Sequence, residues 1–332
     1  MESFIAALPK AELHLHLVGA ASLDTVLTLA RRHPERGVPT DEAALREFYE
    51  FTDFRHFIKV YGEVSELVTT GADITTLVVG LADDLTASNV RYAEVTVSAT
   101  THLRAGIDPE ELTEALDLGR ARALADHGVE LAWVFDIPGV WDGDDGLTSA
   151  RYVTDHLPAG SVGFGLGGAE VGAERSRFRA AFDLAREVGL HSVPHAGEST
   201  KPSEIWAALR DLKAERIGHG TSAVEDPVLL DHLADHGIPL EVCPTSNLCT
   251  GVVESIGGHP LPWLLDAGVP VTIATDDPGM FHTDLNREYL LCHQAFGLSR
   301  GELADLARAG VRAAFCSDGL KTTLLAEIDA VG

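Results

Sequence analysis

Residues 191–243 run His191-Ser-Val-Pro-His195, a helix-period stretch at 203–213, Arg216-Ile-Gly-His219, a second helical stretch at 227–236, then Pro239-Leu-Glu-Val-Cys243. Short apolar runs alternate here with segments whose apolar residues recur at three- and four-residue steps, the two periods that separate strand from helix. The same alternation extends outward in both directions. Strands are expected at 11–16, 90–97, 130–136, 161–166, 191–195, 216–219, 239–243 and 270–275, with typical helices also at 110–127 and 176–188. Eight strand-then-helix units predict an α/β fold, a parallel sheet closed into a (β/α)8 TIM-type barrel; an open doubly wound sheet is the alternative.

One connection breaks the rhythm. About 73 residues separate the first two strands, far more than one crossover needs. The stretch at 41–82 is expected to be a helical insert, carrying Phe48, Tyr49, Phe51, Phe54, Phe57 and Tyr61. It reads as a small satellite core, as a lid over the barrel mouth, or as both. Further helices are expected to pack on the barrel after Asp284, and residues 1–332 are read as one domain.

The chain has 332 residues, 45% hydrophobic and 23% charged, long enough to bury a core without disulfides. Its formal charge of −26 sets phosphate backbones and anionic membrane surfaces against it, so neither nucleic acid nor membrane is an expected partner. No apolar run reaches 18 residues, the start lacks the features of a signal peptide, and the four cysteines form no CxxC pair. They are read as reduced and mostly buried, and the cytoplasm is the expected compartment. A homo-oligomer stays open.

In such a barrel the chemistry sits at the C-terminal strand ends. Strand one ends Leu13-His14-Leu15-His16, and residues two apart on a strand share a face. Strand five ends His195-Ala-Gly-Glu198, strand six His219-Gly220, strand eight Thr275-Asp276-Asp277. Each alone is unremarkable: a core histidine, a turn residue, a helix cap. Together they put His or Asp from four strands at one end of one barrel, and unpaired buried charge is costly unless a metal compensates it. His14, His16, His195 and Asp276 are the implied ligands, a nitrogen and carboxylate set that suits catalytic Zn²⁺, with Fe²⁺ and Mn²⁺ open. Zinc would lower the pKa of its water from about 16 to about 7. Glu198 can reach a reacting group without ligating, His219 can orient or deprotonate the water, and Asp277 points elsewhere, toward a substrate.

Pro9-Lys-Ala-Glu-Leu-His14-Leu-His16, His195-Ala-Gly-Glu198, Arg216-Ile-Gly-His219-Gly220, Cys243-Pro-Thr-Ser-Asn247 and Thr275-Asp276-Asp277-Pro278 resemble the signature blocks of the adenosine deaminase family, in the same order. The resemblance implies a barrel with one Zn²⁺ held by those four ligands. It implies Glu198 as the acid that protonates purine N1, His219 placing the attacking hydroxide, Asp277 at N7, and the Gly168 N–H at N3. The reaction implied is hydrolytic deamination of a 6-aminopurine nucleoside. Where the family usually carries an Asp for the ribose 5′-hydroxyl, this chain has Val18, which suits a substrate with an apolar 5′ extension. Further blocks, among them Phe51-Thr-Asp-Phe-Arg55-His-Phe-Ile-Lys59-Val-Tyr61 and Phe135-Asp-Ile-Pro-Gly139, resemble the actinobacterial aminodeoxyfutalosine deaminases of that family. Their substrate bears a benzoate at its 5′ end, for which the resemblance offers the insert aromatics and Arg55 or Lys59. Adenosine, adenine and other modified adenosines are the alternatives.

Other motifs read as structural. Gly163-Phe-Gly-Leu-Gly-Gly168 spells G-x-G-x-x-G but is not at a first βα turn. Cys243 and Cys249 fit no zinc spacing, Ser246 and Asn247 are read as shaping a loop, and Asp142–Asp145 as a solvated loop. His33, His102, His127, His156, His232, His236 and His259 are expected at the surface. A two-metal hydrolase of cyclic amides would want a Lys on strand four, which is absent. A non-catalytic binding protein would be expected to have lost Glu198 or a ligand.

Overall fold

The computed structural model describes residues 1–138 and 143–331. Eight parallel strand positions close into a barrel. β1 (Lys10–His16), β2 (Val90–Val97), β3 (Glu130–Pro138), β4 (Ser161–Gly167) and β5 (His191–Ser192) hydrogen-bond in that order. β6 (His195–Ala196), β7 (Ile217–His219), β8 (Leu240–Val242) and β9 (Val271–Ile273) form the second run. β5 and β6 are two pieces of the single strand expected at 191–195. Pro194 lacks the N–H that would continue the ladder, while its carbonyl still accepts from Gly218 N at 3.0 Å. The seam between the last strand and the first is closed by His16 N–H to Asp276 O at 2.9 Å and Asp276 N–H to His14 O at 3.0 Å. Three expected metal ligands therefore stitch the barrel shut through their backbones.

β1 shows why the core forms where it does. Lys10, Glu12, His14 and His16 alternate with Ala11, Leu13 and Leu15, and all seven are buried. The apolar set faces the surrounding helices; Gly310 of the Arg300–Ala313 helix packs so closely that an added Cβ would lie 3.3 Å from the Ala11 carbonyl. The polar set faces inward and needs partners. Lys10 Nζ donates to the carbonyls of Ile5, Leu8 and Ser88, and Glu12 accepts from Thr275 N at 3.1 Å.

Between β1 and β2 lie helices at Leu23–Arg32, Glu42–Phe48, Phe54–Ser65 and Gly71–Ala87. Aromatic residues of this stretch pack against Phe281, in the short helix after Asp277: Phe57 at 5.0 Å and Phe51 at 6.1 Å between ring centroids. Beyond β9, helices Leu285–Phe296, Arg300–Ala313 and Asp318–Val331 follow. The run expected as a loop at 142–145 starts outside the described residues, and its last three positions open the Gly143–His156 helix. No helix among the described residues is long and apolar enough to cross a membrane.

Candidate active site

Backbone geometry sets the site first. His219 and Asp276 both adopt left-handed φ values, +59° and +66°. Non-glycine residues rarely do so, and each such conformation costs on the order of 1–3 kcal/mol. Gly218 has no Cβ for a steric reason: one would lie 2.8 Å from His14 Cε1 and 3.2 Å from His195 Cα.

The strand ends bring His14, His16, His195 and Asp276 together, with one ligand atom from each within 4.8 Å of the others. His16 Nε2 lies 3.3 Å from His195 Nε2 and 3.3 Å from Asp276 Oδ1, and His14 Nε2 lies 3.5 Å from the same oxygen. A tetrahedron with bonds of about 2.1 Å has edges of about 3.4 Å. His14 Nε2 is buried with no hydrogen-bond partner. An orphaned nitrogen and lone pairs facing one another at these spacings fit a divalent cation.

An outer layer orients these ligands. His14 Nδ1 donates to Glu241 Oε2 at 2.8 Å, leaving Nε2 for the metal. Glu241 Oε1 accepts from Arg216 Nε at 2.6 Å, and Arg216 also pairs with buried Glu94. Arg216 first, and His14, keep the Glu241 carboxyl below its ordinary range despite burial. Ser246 Oγ donates to Asp276 Oδ2 at 2.6 Å, fixing which carboxylate oxygen faces the cluster.

Glu198 and His219 flank the cluster, 3.8 Å apart at Oε2 and Nε2. Burial, then the Asp276 and Glu170 carboxylates, push the Glu198 carboxyl well above its ordinary range, the direction that favours a proton donor. Glu170 holds the loop that carries it, accepting from Ser199 N at 2.7 Å and Thr200 N at 3.1 Å. Arg175 clamps the same segment, donating to Glu170 Oε1 at 2.6 Å and to His195 O at 2.7 Å. Burial and Asp276 raise Asp277 to about 8, so it too can donate.

The hydrogen of His219 can be traced from a fixed donor. Leu261 N–H donates to His259 Nδ1 at 3.0 Å, so His259 carries its hydrogen on Nε2 and donates to Asn247 Oδ1 at 3.1 Å. The Asn247 amide then donates to His219 Nδ1 at 3.2 Å, which leaves the hydrogen of neutral His219 on Nε2, facing Glu198 and Asp276. Burial holds both rings neutral, His259 at about 4 and His219 at about 3. Of the two roles open to His219, the arrangement fits orienting an incoming oxygen rather than deprotonating it. The expectation of a surface His259 is corrected: it is buried, as is His102, which burial alone lowers to about 4.

A cavity of about 450 Å³ opens from this cluster. His16, His195, Glu198, His219, Asp276, Asp277 and Gly168 line it. So do Phe54, Phe57, Ile58, Tyr61, Gly62 and Ser65, one stripe of the Phe54–Ser65 helix at three- and four-residue spacing. Arg55 and Lys59, on the same helix, do not line the cavity. Both are exposed, and Lys59 pairs with Glu63 at 3.4 Å. Among the described lining residues the one Lys or Arg is Arg104, at the end of the Ala99–Arg104 helix, where the sequence had suggested Arg55 or Lys59. Val18 is buried in the core and does not line the cavity, so its side chain offers no polar anchor there.

Converging imidazoles, a carboxylate and a protonated acid at the mouth of a (β/α)8 barrel define a metal-dependent hydrolase. Comparison with known proteins narrows this. Residues 9–331 match the family model of adenosine deaminase. The aminodeoxyfutalosine deaminase of Streptomyces coelicolor is 49% identical over 331 residues, covering 99% of this chain and 86% of that protein. The crystal structure of adenine deaminase from Arthrobacter aurescens superposes with a TM-score of 0.93 at 32% identity, covering 97% of this chain and 98% of that one. An amidohydrolase from Burkholderia ambifaria with bound Zn gives 0.91 at 25% identity, over 99% and 93%. The chain belongs to the adenosine deaminase family and is a hydrolytic deaminase.

Proposed function

We propose that the chain deaminates 6-amino-6-deoxyfutalosine to futalosine and ammonia, on a menaquinone route in the cytoplasm, with one Zn²⁺ held by His14, His16, His195 and Asp276. The 49% identity to an aminodeoxyfutalosine deaminase supports the substrate. The observation that carries the reading is the cavity, which runs from the ligand cluster to an apolar helical stripe and Arg104. That path matches a nucleoside whose 5′ end bears an aromatic acid.

When bound, zinc supplies the positive charge that acidifies water and stabilises negative charge developing at C6. The chain's own groups do the rest. Glu198 donates its proton to N1, which makes C6 more electrophilic. The His219 Nε2–H holds the incoming oxygen on the face of C6. The protonated Asp277 carboxyl donates to N7, and Gly168, exposed to the cavity at φ +74°, offers its N–H to N3. A C6–O bond forms, the C6–N bond breaks, water is consumed and ammonia leaves. Arg104 takes the carboxylate role that the sequence had suggested for Arg55 or Lys59.

Substitution Arg104→Gln is expected to raise KM for aminodeoxyfutalosine about tenfold or more while leaving adenosine kinetics within about twofold. Lys59→Gln should change neither. Equal losses on both substrates for Arg104→Gln would remove its role at the carboxylate. Adenine is the second reading, favoured by the adenine deaminase superposition; it predicts that the free base outcompetes any nucleoside.

A further inference from the structure

We propose that Asp136 reads the sugar of the substrate by accepting hydrogen bonds from its hydroxyls. This rests on the reading of the chain as a 6-aminopurine nucleoside deaminase. Asp136 stands near the C-terminal end of β3, is 2% exposed and lines the reaction cavity. No step of the chemistry above uses it. Its Oδ1 accepts from Ser98 Oγ at 2.6 Å, and burial raises its carboxyl above the ordinary range, with the His16 ring and that hydrogen bond opposing the shift. An ionised carboxylate can accept about four hydrogen bonds. A buried one with so few partners is costly unless a ligand donates to it.

Its place fits the sugar. A Cβ on Gly167 would lie 2.8 Å from Asp136 Oδ2 and 3.5 Å from His16 Cε1, so the carboxylate sits against Gly167, beside the ligand histidines. Gly168, the next residue, is the one proposed to hold purine N3. In a purine, N3 and N9 flank the same carbon, C4, so a sugar on N9 emerges next to the N3 edge and away from C6. The hydroxyl of Ser98 and the ring of Tyr61 line the same cavity, as do Ser65, Glu66 and Thr101, but of these Glu66 is exposed, and Asp136 is the buried carboxylate beside Gly167 and Gly168. Asp136 therefore supplies an acceptor on this side of the cavity, and its chemistry calls for O–H donors such as a ribose diol.

The test compares adenosine, 2′-deoxyadenosine and 3′-deoxyadenosine on zinc-loaded wild type, Asp136→Asn and Asp136→Ala, with zinc content and Tm recorded for each. Wild type should lose about tenfold or more in kcat/KM when a hydroxyl is removed. Both variants should lose about tenfold or more on adenosine, mainly through KM, and within about threefold on the deoxynucleoside, so that the ribose preference collapses. A purely structural Asp136 would lower all three substrates by one factor, or lower zinc content, and either result overturns the proposal. So does a wild type indifferent to both hydroxyls, a measurement that does not depend on the variants folding. Wild type inactive on every 6-aminopurine nucleoside, aminodeoxyfutalosine included, would instead overturn the parent reading and this assignment with it.

Discussion

Glu198 and Glu241 show how one residue type serves two ends through its surroundings. Glu241 faces an arginine and a histidine and stays ionised; Glu198 faces carboxylates in a dry wall and keeps its proton. A donor with a raised pKa is competent below that pKa and is lost as pH rises through it. The rate is therefore expected to fall on the alkaline side as Glu198 ionises. Glu198→Gln should keep its metal and lose about 10²–10⁴-fold in kcat; near-normal turnover would remove the acid role. For Glu241→Gln the expectation is different: metal affinity should weaken about 10–100-fold, since the group that fixes the His14 tautomer loses its charge. Competition with a chelator reads this directly, and unchanged affinity would count against the oriented-ligand account. At this scale the ligands were legible because alternation on β1 and polar residues at strand ends are patterns along the chain. Glu241, Glu94 and Asp136 were given no role, and His259 was placed at the surface. Each looks like an ordinary strand or loop residue until the barrel closes and shows what it touches.

At the scale of elements, Phe54, Phe57, Ile58 and Tyr61 of the insert between β1 and β2 line the cavity, whereas Arg55 and Lys59 of the same helix are exposed and do not. The entry of Arg104 from the Ala99–Arg104 helix was not visible along the chain, because it depends on how strands two and three lie side by side. The insert is anchored by Asp73, which closes a capping box with Thr70 at the start of the Gly71–Ala87 helix. Its carboxylate also takes Arg32 Nη1 at 2.5 Å, His33 Nε2 at 3.0 Å and the Thr69 and Thr70 amides. These partners, Arg32 foremost, outweigh burial and lower Asp73 from 3.8 to about 2. A lowered carboxyl pKa stabilises the fold above the unfolded value and is lost as pH falls through the folded one. Asp73→Asn should cost roughly 1–2 kcal/mol at pH 7, with the difference from wild type shrinking from about pH 4 toward pH 2. Denaturant melts across that range check it, and a constant difference would mean that shape rather than charge is at work.

For the molecule as a whole, the fold and the site are one decision. The barrel closes through the backbone of His14, His16 and Asp276, so the residues that complete the ring are also three of the four proposed ligands. The eight strands could be placed from the sequence because a parallel barrel buries each strand on both faces and leaves short apolar runs between helices. The break at Pro194 and the left-handed turns at His219 and Asp276 depend on three-dimensional closure and were not visible along the chain. The central claim joins this whole arrangement to one substrate. Its most direct test is kcat/KM for aminodeoxyfutalosine, adenosine and adenine side by side on one zinc-loaded preparation, followed by the ultraviolet change from 6-aminopurine to hypoxanthine. The account predicts a preference for aminodeoxyfutalosine of about 100-fold or more, roughly 2.7 kcal/mol of transition-state discrimination. Adenosine or adenine turned over as well or better would contradict it.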